Sequence, residues 1–225
     1  LDQIVHFNPK VAIITNITPD HLDRYDYDMS KYALAKFRIT ENQSSEDLLI
    51  LNKDDQESMK YFGKIQTNAQ VIYTSTAEIN EETFTSNKGI TYDISECNLR
   101  GRHNQSNIAQ AIEALESIGL KKRAVESGIS TFQGLAHRLE FVANVDGVDY
   151  INDSKATNID SVWYALDAMK KPIVWIVGGI DKGNDYSILS ELVRNKVRWM
   201  ICMGLENQKL IDMFGHEVEG YDEAG

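Results

Sequence analysis

Short apolar runs of strand length recur along this sequence, separated by stretches with helical periodicity. Runs at 11–17 (VAIITNI), 48–51, 71–73, 173–177 and 199–202 alternate with helical patterns at 29–42, after 52–55, and at 102–118, 121–131, 187–195 and 206–214. Strands joined through helices pair in parallel, because the helix carries the chain back to the edge from which the strand started. The chain is therefore expected to be α/β. Two stretches depart from the rhythm. Residues 83–99 look like a small hairpin turning at 87–89, and 139–145 and 148–151 flank Asp146-Gly147, a strong hairpin signal. The change in texture near 134–138 divides an expected first domain, 1–134, from a second, 135–225.

Composition narrows the function classes. Of 225 residues, 42% are hydrophobic and 25% charged, and the net charge is −11. A field of that sign repels polyphosphate backbones, so nucleic acid is not an expected partner. A bound phosphate would have to be held by local groups and metal ions. No apolar run approaches the roughly 18 residues of a membrane span, so no membrane insertion is expected. Cys97 and Cys202 lie far apart without metal-ligand spacing, as in a reducing, cytoplasmic setting. The chain starts at Leu1 without Met and stops at Gly225. It is expected to be a piece of a longer one.

Six stretches carry side chains beyond what a scaffold needs. TPDHLDRY (18–25) brings Asp20, His21 and Asp23 to a strand end, as cation ligands or as a solvated turn. On a helical wheel Lys36 falls amid the apolar face of Met29, Tyr32, Ala33, Phe37 and Ile39. Desolvation there favours a neutral amine that could take up carbon dioxide, unless the head reaches water. In 101–115, Ile108, Ala111, Ile112, Leu115 and Ile118 form the expected buried stripe. Asn104 and Asn107 share a face in the first turns, able to read an adenine edge or to cap the helix. Arg138, within GLAHRLEFV (134–142), suits a phosphate, a ribose or an interdomain ion pair. In YINDSKATNID (150–160), Thr157 or Asn158 can cap the next helix, but capping leaves Asp153 and Lys155 unexplained. Finally, Gly178-Gly179 lead to Lys182 in a loop that is not a Walker motif.

Together NITPDHLDRY (16–25), YALAKFRI (32–39), GRHNQSNIAQAI (101–112), FQGLAHRLEFV (132–142), NDSKATN (152–158) and GGIDKG (178–183) resemble the Mur ligases. Within that family they are similar to the members that add D-glutamate to UDP-N-acetylmuramoyl-L-alanine. NDSKATN discriminates, since sister ligases, folylpolyglutamate synthase included, typically carry an Ala-His-Asn/Thr-Pro type of corner. The resemblance implies the rear part of a P-loop-type ATPase domain with a small β-rich section. A Rossmann-like, doubly wound C-terminal domain would follow. It implies a cytoplasmic, monomeric enzyme of peptidoglycan synthesis using ATP and Mg2+, in which D-glutamate captures an acyl phosphate. His21 and a carbamylated Lys36 would hold metal, and Asn104 and Asn107 would meet adenine. Arg138 and Asp153 would hold ATP. Lys155 and Thr157 would face the acyl phosphate, and Lys182 a D-glutamate carboxylate. The family's phosphate loop, uracil-binding domain and an upstream metal-binding Glu would precede Leu1, and its last segment would follow Gly225. The chain alone is thus expected to be inactive. Two other readings remain: a non-catalytic Mur-ligase-like nucleotide-binding module, and a nicotinamide oxidoreductase, which lacks its GxGxxG.

Overall fold

Four consecutive buried residues, Leu48, Leu49, Ile50 and Leu51, mark the middle of a sheet. Strand side chains alternate between faces, so a run buried at every position must be covered on both. The run belongs to β2 (Leu48–Asn52), which pairs in parallel with β1 (Val11–Ile14) on one side and β3 (Gln70–Thr74) on the other. The computed structural model describes residues 1–19, 22–80, 82–99, 101–179, 185–204 and 206–224. It divides into two compact units, Leu1–Gln133 and Gly134–Gly225. Among the described residues no helix is long and apolar enough to cross a membrane.

In the first unit, α1 (Met29–Phe37) starts at Asp28, whose carboxylate accepts the Ser30 N–H at 2.8 Å. Helix α2 (Gln56–Phe62) starts at Asp55, whose Oδ2 accepts the Ser58 N–H at 2.9 Å. Tyr32, Ala33, Phe37 and Tyr61 close over Ala12, Ile14, Leu49 and Leu51. The apolar run 11–17 is only partly strand. Ile17 is buried, but its N–H donates to Asp55 Oδ2 at 3.0 Å instead of joining the ladder. The helix expected over 29–42 ends at Phe37 and tightens into a 3-10 turn, Arg38–Thr40, where the Thr40 hydroxyl donates to the Phe37 carbonyl.

A hairpin of β4 (Thr83–Thr85) and β5 (Thr91–Asp93) turns through Gly89 at φ +80° and packs on α3 (Arg102–Ser117) and α4 (Lys122–Thr131). The buried face of α3 is not the expected stripe. Ile108 and Ile112 are buried, Leu115 is half-buried, and Ala111 and Ile118 are exposed. Gln110, Glu113 and Glu116 are buried in their place. Each has a polar partner across the fold: Gln110 Nε2 donates to the Ile14 carbonyl, Asn87 donates to Glu113, and the Tyr92 hydroxyl donates to Glu116. Hydrogen bonding offsets the desolvation that keeps such groups out of most cores.

The second unit opens with the hairpin of β6 (Glu140–Val145) and β7 (Val148–Asn152). Asp146 at φ +50° and Gly147 at φ +85° give the turn its two left-handed residues. A parallel sheet follows in the order β10 (Gly220–Ala224), β9 (Val197–Met203), β8 (Ile173–Gly178). The pattern of 220–224 carries little apolar signal, and no strand was expected there. Helices α5 (Ile159–Ala168), α6 (Ser190–Lys196) and α7 (Gln208–Phe214) bury Leu166, Val193, Leu210 and Phe214 against Met200 and Cys202. Val174, Ile176, Trp199 and Met203 are exposed.

Candidate active site

Polar groups gather in the first unit at the carboxyl end of the parallel sheet. Asp54, just past β2, accepts hydrogen bonds from the Ser75 hydroxyl and from the amide and hydroxyl of Thr76, just past β3, each at 2.7 Å. Burial works to raise the Asp54 carboxyl, but these bonds and the charge of Arg102 bring it below its ordinary value. Arg102, whose charge reaches Asp54, opens α3. Gly101 forms the N-cap at φ +91° with no side-chain cap. Asn104 and Asn107 are therefore not capping residues. Asn107 Nδ2 donates to Asn104 Oδ1 at 3.5 Å, and the amide of Asn107 is exposed.

Lys36 is half-buried rather than enclosed. Its Nζ lies 4.9 Å from the centre of the Tyr32 ring, one helical turn earlier. The ring face attracts the ammonium and holds it at the edge of the apolar layer. His21, with Asp20 beside it, lies outside the described residues. Among the described residues, no three His, Cys, Asp or Glu side chains come together as a metal site.

The second unit brings four of the expected site residues into one corner. Asp153 accepts the Leu139 N–H on Oδ1 at 3.0 Å. Burial lifts its carboxyl above the ordinary value, against the pull of that amide and of the neighbouring Arg138 charge. The Lys155 N–H donates to the His137 carbonyl at 3.1 Å, and the Ala156 N–H to the Asp153 carbonyl at 2.8 Å. These bonds fold 153–156 into a tight turn that leaves the Lys155 and Thr157 side chains exposed. Asn158, not Thr157, caps α5: its Oδ1 accepts the Ser161 N–H at 2.8 Å. The Thr157 hydroxyl is thus not used for capping. Arg138, Asp153, Lys155 and Thr157 share this corner, whereas Lys36, Asn104 and Asn107 belong to the first unit. Lys182 lies outside the described residues.

The corner has further support from Asn152, His137 and Glu140, none of them among the expected site residues. Asn152 Nδ2 donates to His137 Nδ1 at 2.8 Å and to Glu140 Oε2 at 3.4 Å, and the His137 N–H donates to the same Glu140 oxygen at 2.8 Å. His137 and Leu139 both adopt left-handed backbone, φ +65° and +46°. That conformation is uncommon outside glycine, and for a bulky residue such as Leu139 it marks a position held by its surroundings. The polar pattern of His137, Arg138 and Glu140 in a strand-like run was the available signal, but the pairing of Glu140 with Asn152 was not legible.

Chemically, the corner offers an exposed ammonium, a hydroxyl, and a carboxylate beside a guanidinium, on a hydrogen-bonded strand-to-helix turn. Such a set suits a negatively charged, oxygen-rich group.

Comparison with known proteins points the same way. Residues 1–115 match the family model of the Mur ligase middle domain, and residues 137–224 that of the Mur ligase, glutamate ligase domain. The chain is 41% identical over 229 residues to UDP-N-acetylmuramoylalanine--D-glutamate ligase of Christiangramia forsetii, covering 97% of this chain and 52% of that protein. The protein of the same name from Bacteroides fragilis is 42% identical over 226 residues, covering 95% and 50%. The chain thus spans about half the length of the curated relatives it matches. Among solved structures, Mycobacterium tuberculosis folylpolyglutamate synthase complexed with ADP gives a TM-score of 0.75 at 18% identity, over 96% of this chain and 54% of that one. MurF from Acinetobacter baumannii gives 0.73 at 18%, over 96% and 51%. At that identity these two share the fold.

Proposed function

The chain belongs to the Mur ligase family, and from that premise we propose that it forms part of an ATP-dependent ligase joining D-glutamate to UDP-N-acetylmuramoyl-L-alanine in peptidoglycan synthesis. Residues 1–134 would be the C-terminal part of the central ATP-binding domain, and 135–225 the N-terminal part of a Rossmann-like, amino-acid-binding domain. One observation carries the reading: Arg138, Asp153, Lys155 and Thr157 converge on one corner, with the capping duty left to Asn158. The named relatives, near 40% identity, support the choice of D-glutamate.

A carboxylate does not react with an amine near neutral pH unless its oxygen is made a leaving group. ATP, bound with Mg2+, supplies the phosphoryl group that does so. The chain's own residues bind and orient. Asn104 and Asn107 offer donor and acceptor to the adenine edge, and Arg138 and Asp153 offer a cation and an acceptor to the nucleotide. The Lys155 ammonium and the Thr157 hydroxyl would meet the negative charge that accumulates on the acyl phosphate, from a turn already held by main-chain hydrogen bonds. Lys182 would pair with a carboxylate of D-glutamate. Lys36, at the rim of the apolar layer, would add as a neutral amine to carbon dioxide and release one proton. The resulting carbamate, with His21, would make an oxygen and nitrogen donor pair suited to a hard cation. The enzyme would act as a monomer in the cytoplasm.

The test is made on the complete gene product. With ATP, magnesium and UDP-N-acetylmuramoyl-L-alanine, phosphate release should depend on D-glutamate and not on L-glutamate. ATP binding without D-glutamate-dependent release would overturn the reading and favour a non-catalytic nucleotide-binding module. The 225-residue chain alone, whose sequence contains no GxxxxGK[ST], should release no phosphate above background.

A further inference from the structure

We propose that Glu140 is a positioning residue which, through Asn152 and His137, sets the placement of Lys155; the proposal rests on the ligase reading above. The segment 137–140 and the corner 152–155 are joined by a closed set of bonds. Glu140 and Asn152 are paired across the β6–β7 ladder. Glu140 Oε2 accepts from the His137 N–H at 2.8 Å and from Asn152 Nδ2 at 3.4 Å. The same Asn152 amino group donates to His137 Nδ1 at 2.8 Å, and the Lys155 N–H donates to the His137 carbonyl at 3.1 Å. The Leu139 N–H, between these residues, donates to Asp153. One carboxylate oxygen therefore sits at the root of contacts that reach both Lys155 and Asp153.

Two features make this a specified arrangement rather than an incidental surface network. First, the orientation of Asn152 is fixed. Its Oδ1 accepts the Ser154 N–H at 3.1 Å, so its amino group must face His137 and Glu140. An amino group only donates, so His137 Nδ1 is the acceptor in this contact. Second, His137 at φ +65° and Leu139 at φ +46° would relax to ordinary backbone if nothing held them. Relaxation would carry away the carbonyl that anchors Lys155 and the amide that anchors Asp153. Glu140 is half-buried and touches the exposed reactive side chains only through its neighbours, which is why it positions rather than reacts.

The experiment uses the complete gene product. Glu140→Ala should lower kcat by about tenfold or more, since small misplacements of positioned groups are costly. Glu140→Gln keeps an acceptor oxygen and should restore most of the rate. Asn152→Ala should reproduce the loss, and the double variant should be no worse than either alone. Amide exchange at Lys155 and Leu139 should quicken in Glu140→Ala while the amides of β8 and β9 keep their protection. A Glu140→Ala enzyme with unchanged kcat, or a loss that Gln does not relieve, or unaltered exchange at Lys155, overturns the proposal. Should Glu140→Ala not fold, Asn152→Ala and Glu140→Gln are judged by the same exchange readout. Absence of D-glutamate-dependent turnover in the wild type would remove the ligase reading, while the exchange results would still decide whether the clamp exists.

Discussion

The backbone N–H of Lys155 donates to the carbonyl of His137 at 3.1 Å, so the lysine is anchored by its main chain and its side chain is left exposed. Anchoring and chemistry are therefore separable. Lys155→Ala keeps the amide and should leave the melting temperature of the complete gene product nearly unchanged, as for other surface substitutions. Its D-glutamate-dependent turnover should fall roughly 100-fold, the scale seen when one preorganised charge-stabilising donor is removed. A variant that melts normally and turns over normally would remove Lys155 from the site.

Neighbouring Thr157 and Asn158 should separate in the same way, with the roles reversed. Asn158 Oδ1 holds the first turn of α5, and Asn158→Ala should cost about 1 kcal/mol by chemical denaturation. Thr157→Val removes a hydroxyl that takes no part in the cap. It should cost little stability and much activity. Equal denaturation midpoints for the two variants would contradict the cap assignment.

Tyr92 gives a pH signature. Burial first, then its bond and charge interaction with Glu116, push its hydroxyl up to about 12. An unfolded tyrosine titrates near 10. A folded value above the unfolded one means the contribution is complete below about pH 10 and is lost as pH rises through about 12. Stability of the chain should fall across that window. Tyr92→Phe should be weaker near pH 8 by about 1–3 kcal/mol, because Glu116 loses its buried donor, and flatter between pH 10 and 12. Urea midpoints measured across the range decide this; parallel curves would exclude the assignment.

Glycines at 178 and 89 should respond differently to alanine. A Cβ on Gly178 would run into the Met203 main chain, where the ends of β8 and β9 approach. A Cβ on Gly89 would meet open space and suffer only the left-handed backbone, φ +80°. Gly89→Ala should cost about 1–2 kcal/mol, and Gly178→Ala more, through displacement of a strand. Comparable losses in both would argue against the close approach.

Much of the architecture was legible because periodicity and turn chemistry agree. Asp146-Gly147 gave the β6–β7 turn, and the apolar runs gave the strands β1, β2, β3, β8 and β9. Two things resisted, for physical reasons. On α3, hydrophobicity alone selects Ala111 and Ile118, but Glu113 and Glu116 are buried because Asn87 and Tyr92 arrive from a hairpin remote in sequence. In the β6–β7 hairpin, counting back from the turn pairs Val145 with Val148 and Ala143 with Tyr150, and would continue to pair Asn152 with Phe141. A bulge between Phe141 and Ala143 shifts the register by one, and Asn152 meets Glu140. No turn rule announces a bulge, and a shift of one residue exchanges the faces of every side chain beyond it. The site residues showed as polar side chains beyond what turns require. Their mutual supports did not, because those depend on that register.

Asp55 Oδ2 receives both the Ile17 N–H and the Ser58 N–H. The stretch leading toward His21 and the opening of α2 are thereby hinged on a single atom. Drift in the exposed face of α2 can be tolerated freely, but a residue inserted just ahead of it would pull Ile17 away from the helix start. Among homologues, length variation should collect elsewhere.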